Sequence, residues 1–247
     1  MLKTKKDRYF FILHSLLLLL VLLGFAPSFY LRPLSNQAAL PFHLLIHGIS
    51  CTSWFILCLL QVYLIQSHRT LSHKKLGTSA SILAPAIFLS GLWVMYHRIQ
   101  NFYVKNGNDL SGRLDYREFE SMLIWGDIFV LISFLLLVYL GYRFRQKIHH
   151  HKRYMLFASI MIVPQAFVRI GKLPFLQLGD DPGASGSIYA VLGPVLILLS
   201  LIFYDRKTLG KVHPVTKLSW GWYIGLLAIA TLLMRTGWGA DILEVFQ

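Results

Sequence analysis

Seven runs of apolar residues, separated by short polar segments, recur along the chain at about 9–27, 39–66, 78–97, 121–143, 154–173, 187–204 and 218–235. A helix of about 20 residues, rising about 1.5 Å per residue, covers the roughly 30 Å of a bilayer's hydrocarbon core. Each run therefore predicts one membrane-spanning helix. The expected fold is all-α, an integral membrane bundle of seven transmembrane helices forming a single domain over 1–247, with no soluble appendage and no internal repeat. Pro85, Pro164 and Pro194 fall inside the third, fifth and sixth runs, where a missing N–H kinks or locally opens a helix. Gly221 and Gly225, four apart in "GWYIG", have the spacing of a small-residue packing face. Two polar segments are longer than the rest: 98–120, with "NGN" and "SG" turn signals, and 174–186, with "GDDPGASG". Both are predicted on the same side of the membrane, as lids or linkers.

Composition agrees with the pattern: 55% of the residues are hydrophobic and 14% charged, a balance that excludes a soluble domain of this length. The placement of charge adds an orientation. With the N-terminus inside, inner segments hold four Lys and Arg before the first span, three in 67–77, five in 143–153 and four in 205–217, or 16 of the 24. Cytoplasmic loops keep such an excess, so the N-terminus is expected in the cytoplasm and the C-terminus outside, in a multi-pass protein of a bacterial inner membrane. The first run follows Lys3, Lys5, Lys6 and Arg8, as a signal peptide would. No small-x-small cleavage site follows, and Pro27 in "GFAPSFY" would obstruct processing, so the run is taken as a span. The net charge of +13 is dispersed in short loops beside the spans rather than along one stripe. It points to anionic lipid headgroups at the inner face and not to nucleic acid, and the sequence leaves any protein partner unknown. Cys51 and Cys58 lie in one span, so no disulfide framework is expected; both read as small core residues.

Polar residues inside the spans carry the candidate chemistry, because an ionisable group in hydrocarbon is costly unless it is paired or faces water. "PFHLLIHGISC", residues 41–51, places His43 and His47 four apart on one helix face, where they can share a small ion. His97, at the end of the third span, and Asp127, about 9 Å into the fourth, are predicted at the same outer depth. His43, His47, His97 and Asp127 form a nitrogen and oxygen set suited to zinc, copper or iron. Gln165 and Arg169 would support those ligands or clamp a substrate. The leading expectation is a metal-binding membrane protein with its site near the outer face. A metal-dependent intramembrane hydrolase is the enzyme it would make, with a metal-bound water attacking and Asp127 as ligand or catalytic base. Two alternatives stay open: a haem- or quinone-linked redox protein or haem/copper assembly factor, and a non-enzymatic protein whose polar residues pack helices. At the inner face, His68, His73, His149, His150, His151 and His213 stand among Lys and Arg as a lipid-facing collar. Within it, His73, His151 and His213 form an alternative site for haem or metal.

The order His43-x3-His47-Gly48, Gln61, "SHKKLG", "HHKRYM" and Arg169 resembles bacterial multipass families classed as domains of unknown function, over residues 40–170. That likeness implies a membrane fold and no defined activity. In helix count and histidine placement the chain is loosely similar to cytochrome b561-like proteins and to membrane factors of cytochrome oxidase assembly, which implies haem or copper. Two facing pairs of histidines at matched depths, which haem ligation needs, are not evident in the sequence. A partial chemical analogy to seven-span zinc hydrolases of the progestin and adipoQ receptor class rests on three histidines and an aspartate. The seventh span has no histidine, so that analogy does not extend to the motif order. It also has no lysine, which argues against a retinal Schiff base.

Overall fold

The computed structural model describes residues 6–35, 37–106 and 114–239, and among these every regular element is helical. The helices are α1 (Lys6–Phe25), α2 (Phe42–Gln66), α3 (Thr70–Gly77), α4 (Ala80–Asn106), α5 (Leu114–Arg143), α6 (Ile148–Ile162), α7 (Pro164–Gly171), α8 (Pro182–Leu209) and α9 (Pro214–Thr236). Six stretches are long and apolar enough to cross a membrane, and α6 with α7, bent by 42° at Val163, makes a seventh if counted as one. All seven apolar runs therefore become helix.

Helix α6 lies at the centre: Leu156, Phe157, Ala158, Ile160 and Met161 are buried. It packs on α5, α9 and α1, while α7 packs on α8 and α1, and α2 bridges α1 and α4. The outer faces are apolar, with Ile12, Ile82, Leu89, Leu196 and Phe203 exposed. A water-soluble monomer rarely presents so much contiguous apolar surface, whereas acyl chains solvate it without penalty.

Three local expectations change. Helices α4 and α8 run on through Pro85 and Pro194, and only Pro164 marks a break, at the first position of α7 where its missing N–H is least costly. Most of the expected loop at 98–120 is helix, since α4 continues to Asn106 and α5 begins at Leu114; residues 107–113 of that segment lie outside the described ones. Gly221 and Gly225 do not form a packing face, because a Cβ at either would meet nothing within 4 Å. Close approach occurs instead at Gly24, where a Cβ would stand 2.6 Å from the Ala166 carbonyl, and at Gly186, 2.8 Å from that of Val168.

Candidate functional site

The four expected ligands His43, His47, His97 and Asp127 do not form one shell, and no group of three His, Cys, Asp or Glu among the described residues is arranged to hold a metal ion. Helix α4 divides them. Its consecutive residues His97 and Arg98 point to different neighbours: His97 stacks on His43 of α2, with ring centroids 4.0 Å apart and planes 21° from parallel. Arg98 turns to α5 and donates to Asp127 at 2.8 Å and Glu120 at 3.1 Å. Imidazole lone pairs lie in the ring plane, so two stacked, near-parallel rings cannot direct them at one ion between the faces.

Asp127 is equally committed. One carboxylate oxygen accepts from Arg98 and the other from Gln165 Nε2 at 3.0 Å. Arg169 donates to the Gln165 carbonyl at 2.9 Å and lies over the Phe25 ring at 4.1 Å. Gln165 and Arg169 thus support Asp127, not the histidines. An aspartate with both oxygens engaged by a guanidinium and an amide is poorly placed as a base or metal ligand.

His47, one turn deeper than His43, has its own surroundings. Its Nδ1 is 3.0 Å from Ser90 Oγ, a hydroxyl whose single hydrogen can go to the Ile87 carbonyl at 3.1 Å. With that hydrogen on Ile87, Ser90 Oγ accepts from Nδ1 and Nε2 keeps its lone pair; with it on Nδ1, the roles of the two nitrogens reverse. Nε2 lies 3.5 Å from Cys51 Sγ. Further along the same face of α2, the Trp54 indole donates to Ser159 Oγ at 3.0 Å, and Cys58 Sγ is 3.7 Å from that oxygen. His43, His47, Cys51, Trp54, Cys58 and Gln61, spaced by three or four, so form one polar stripe the length of the helix.

The basic end holds two separate groups. His73 and His151 face each other edge-on, with centroids 6.3 Å apart and planes at 87°. His151 Nδ1 donates to the Gly141 carbonyl at 2.8 Å, which frees its Nε2. His73 Nδ1 sits beside Gln61, 3.3 Å from its carbonyl and in contact with its side-chain amide, which donates to it once the amide is oriented to accept from Gly77 N. That contact favours the proton on Nε2 of His73. His213 joins the other group, with His150 at 4.6 Å and His149 at 6.4 Å between ring centroids. The expected trio of His73, His151 and His213 is therefore split as well.

Beside His213 lies the most buried charge in the described chain. The Arg153 guanidinium and Asp205 carboxylate pair with no exposure of either side chain. Asp205 also accepts from Thr216 Oγ1 at 2.5 Å and from the His213 N–H at 3.0 Å. His213 caps α9, its Nδ1 accepting from Val215 N at 3.2 Å. Burial, with the Arg153 cation close by, pushes the His213 imidazole down to about 4.

Ser90, Arg98, Arg153 and Asp205 were not among the residues singled out in the sequence. A serine in a span carries no distinctive signal, and Arg98 and Asp205 stand at span ends, where charges are ordinary. No family model, curated protein or solved structure matches the chain.

Proposed function

We propose that the protein is a multi-pass membrane protein of seven spans that binds a transition-metal ion through His47 and Cys51 of α2. Support comes from a single observation: His47 Nε2 and the Cys51 sulfur lie 3.5 Å apart while Ser90 Oγ holds the ring's Nδ1 at 3.0 Å. Imidazole ligands in metal sites are held in this way by a hydrogen bond to the second ring nitrogen. With bonds of about 2.3 Å to sulfur and about 2.0 Å to nitrogen, that separation gives a bite near the tetrahedral angle. Hydrolysis through Asp127 is left out of the proposal, since its oxygens are taken by Arg98 and Gln165. The proposed orientation has the Lys- and Arg-rich loops in the cytoplasm.

The test is elemental analysis of tag-free protein purified in mild detergent without chelators. About one equivalent of zinc, copper or iron per chain is expected, lost in His47→Ala with an unchanged elution profile. Equal metal content in that variant would sink the proposal.

A second reading is favoured by the perpendicular rings of His73 and His151 and the free Nε2 of His151. These could ligate haem iron or a single ion, His73 taking the other tautomer as the Gln61 amide turns. A Soret band that disappears in His151→Ala would support haem there, and metal without that band, lost in the same variant, would indicate a simple ion. Neither signal would discard this second reading.

A further inference from the structure

We infer that the first turn of α6 and the ring of His213 form a binding site for a phosphate group, carried by a membrane lipid or by a soluble ester. The inference is independent of the metal reading above. A buried donor, the charge around it and its position lead to it.

The donor is His213 Nε2. A backbone N–H can only donate, so His213 Nδ1 accepts from Val215 N and the neutral ring carries its proton on Nε2. Burial, with Arg153 close by, holds the imidazole down to about 4, so the neutral form prevails at neutral pH. His213 is only 8% exposed, and its Nε2–H meets no hydrogen-bond acceptor among the described residues. It is not sealed off either: Trp220 Nε1 is the one fully enclosed side-chain nitrogen or oxygen there that lacks a partner. With Nδ1 tied to the first turn of α9, the Nε2 edge diverges from that helix. It opens beside His150 and His149, whose ring centroids lie 4.6 Å and 6.4 Å from that of His213.

The charge is positive and uncompensated. No side chain caps α6, and neither α6 nor α9 has an acidic residue in its first turn. A helix start carries partial positive charge and N–H groups without intrahelical partners. The first turn of α6 holds His149, His150 and His151 instead, followed directly by Lys152. Segments 143–153 and 205–217 supply five and four Lys and Arg and a single carboxylate, Asp205. Both its oxygens are taken, by Arg153, Thr216 and the His213 N–H. Lys147 closes the group: its ammonium lies 5.6 Å from the centre of the Phe144 ring, which stands 5.7 Å from that of His150. These segments thus offer N–H donors and cations with no free anion to answer them. Because His213 presents a proton rather than a lone pair, the complement is an oxyanion and not a metal. A tetrahedral phosphate accepts from several directions at once, as it does at other helix starts. Ile148, which opens α6, is 71% exposed, an apolar neighbour suited to the acyl chain of a lipid bound by its phosphate.

The full chain, stripped of lipid in detergent and phosphate-free buffer, is titrated calorimetrically with three probes: a short-chain phosphatidylglycerol, the matching diacylglycerol and inorganic phosphate. Saturable binding of the phosphatidylglycerol, and none of the diacylglycerol, is expected. His213→Asn, which keeps a capping acceptor while withdrawing the ring N–H, should weaken it about 10-fold or more, and so should His150→Ala. Lys74→Ala with Lys75→Ala, which removes two exposed cations of α3, should leave it unchanged. Inorganic phosphate should displace the lipid. Displacement only at far higher concentration would support a lipid as the source, and phosphate binding as tight as the lipid's would support a soluble ester. Equal weakening by the α3 double variant would overturn the site in favour of diffuse attraction to the basic loops. Diacylglycerol binding as tightly as the phospholipid, or no binding of either phosphate probe, would overturn it as well. Should His213→Asn elute as aggregate, the His150→Ala result decides.

Discussion

Arg153 and Asp205 bury opposite charges side by side, and everything around them completes the pair: two guanidinium nitrogens reach one carboxylate oxygen, while Thr216 and the His213 N–H take the other. Removing one member leaves an unpaired ion, typically a loss of about 3–5 kcal/mol. Arg153→Ala is therefore expected to lower the thermal midpoint of the detergent-solubilised protein far more than Arg98→Ala, whose ion pairs are partly exposed. His213 adds a pH dependence at the same place. Its imidazole titrates near 6.5 when unfolded and about 4 when folded, so the folded state binds fewer protons across that interval. Stability is then full above about pH 6.5 and falls as pH drops toward 4, by an amount on the order of 2 kcal/mol. Arg153, His149, His150 and Asp205 all face the ring, and the first three oppose its protonation. His213→Asn, which keeps a capping acceptor, should flatten the pH dependence of the midpoint between pH 4 and 6.5; an unchanged slope would assign it to another group. This network was hidden in the sequence because its partners are 52 residues apart and each stands in a basic, hydrophilic segment that reads as solvated collar. His47 was legible by its depth in a span, but Ser90, which bonds its Nδ1, was one unremarked serine 43 residues away.

Among the helices, legibility followed the length of the apolar run. A span is specified by composition alone, so all seven runs became helix, whereas helix-to-helix approach depends on which faces meet. Gly221 and Gly225 matched a packing motif and stand in open space, while Gly24, without any motif, brings α1 within 2.6 Å of the α7 backbone at the position a Cβ would take. The two classes should separate under substitution. Gly24→Ala must push α1 away from the Ala166 carbonyl and is expected to destabilise by about 1–3 kcal/mol. Gly221→Ala and Gly225→Ala meet nothing and remove backbone freedom, so each should be neutral or stabilising by up to about 1 kcal/mol. Thermal midpoints of the three variants measure this directly, and a tolerant Gly24 would mean that α1 and α7 are less closely held. Proline shows the same limit: Pro164 opens a break whereas Pro85 and Pro194 stay inside continuous helices. The ring lacks an N–H in all three; what differs is position, since Pro164 opens α7 at its first residue whereas Pro85 and Pro194 fall inside α4 and α8.

For the whole molecule, the bend between α6 and α7 decides the number of spans and hence the side on which the chain ends. Re-entrant, the pair would turn back and leave six spans, with both termini on one side; continuous, it makes a seventh and puts them on opposite sides. Helix α8 provides a ruler. Arg153 in the second turn of α6 pairs with Asp205 near the end of α8, and Gly171 at the end of α7 accepts from Ser185 near the start of α8 at 2.6 Å. Ser185 and Asp205 are separated by about 30 Å of helix at about 1.5 Å per residue, close to the hydrocarbon thickness. The bent pair meets α8 at both ends of that distance, which supports the proposal that it crosses. The expected topology is seven spans, with the loops at 67–77, 143–153 and 205–217 in the cytoplasm. Single cysteines, introduced at Ser67, Gln146 or Lys211 and at Asp180 in a chain lacking Cys51 and Cys58, should divide by side. In intact cells a membrane-impermeant maleimide should label only the Asp180 position, and the other three only after lysis. Labelling of the Lys211 position together with Asp180 in intact cells would mean that α8 does not cross, and labelling of Lys211 with Asp180 and Gln146 both protected that the bent pair turns back.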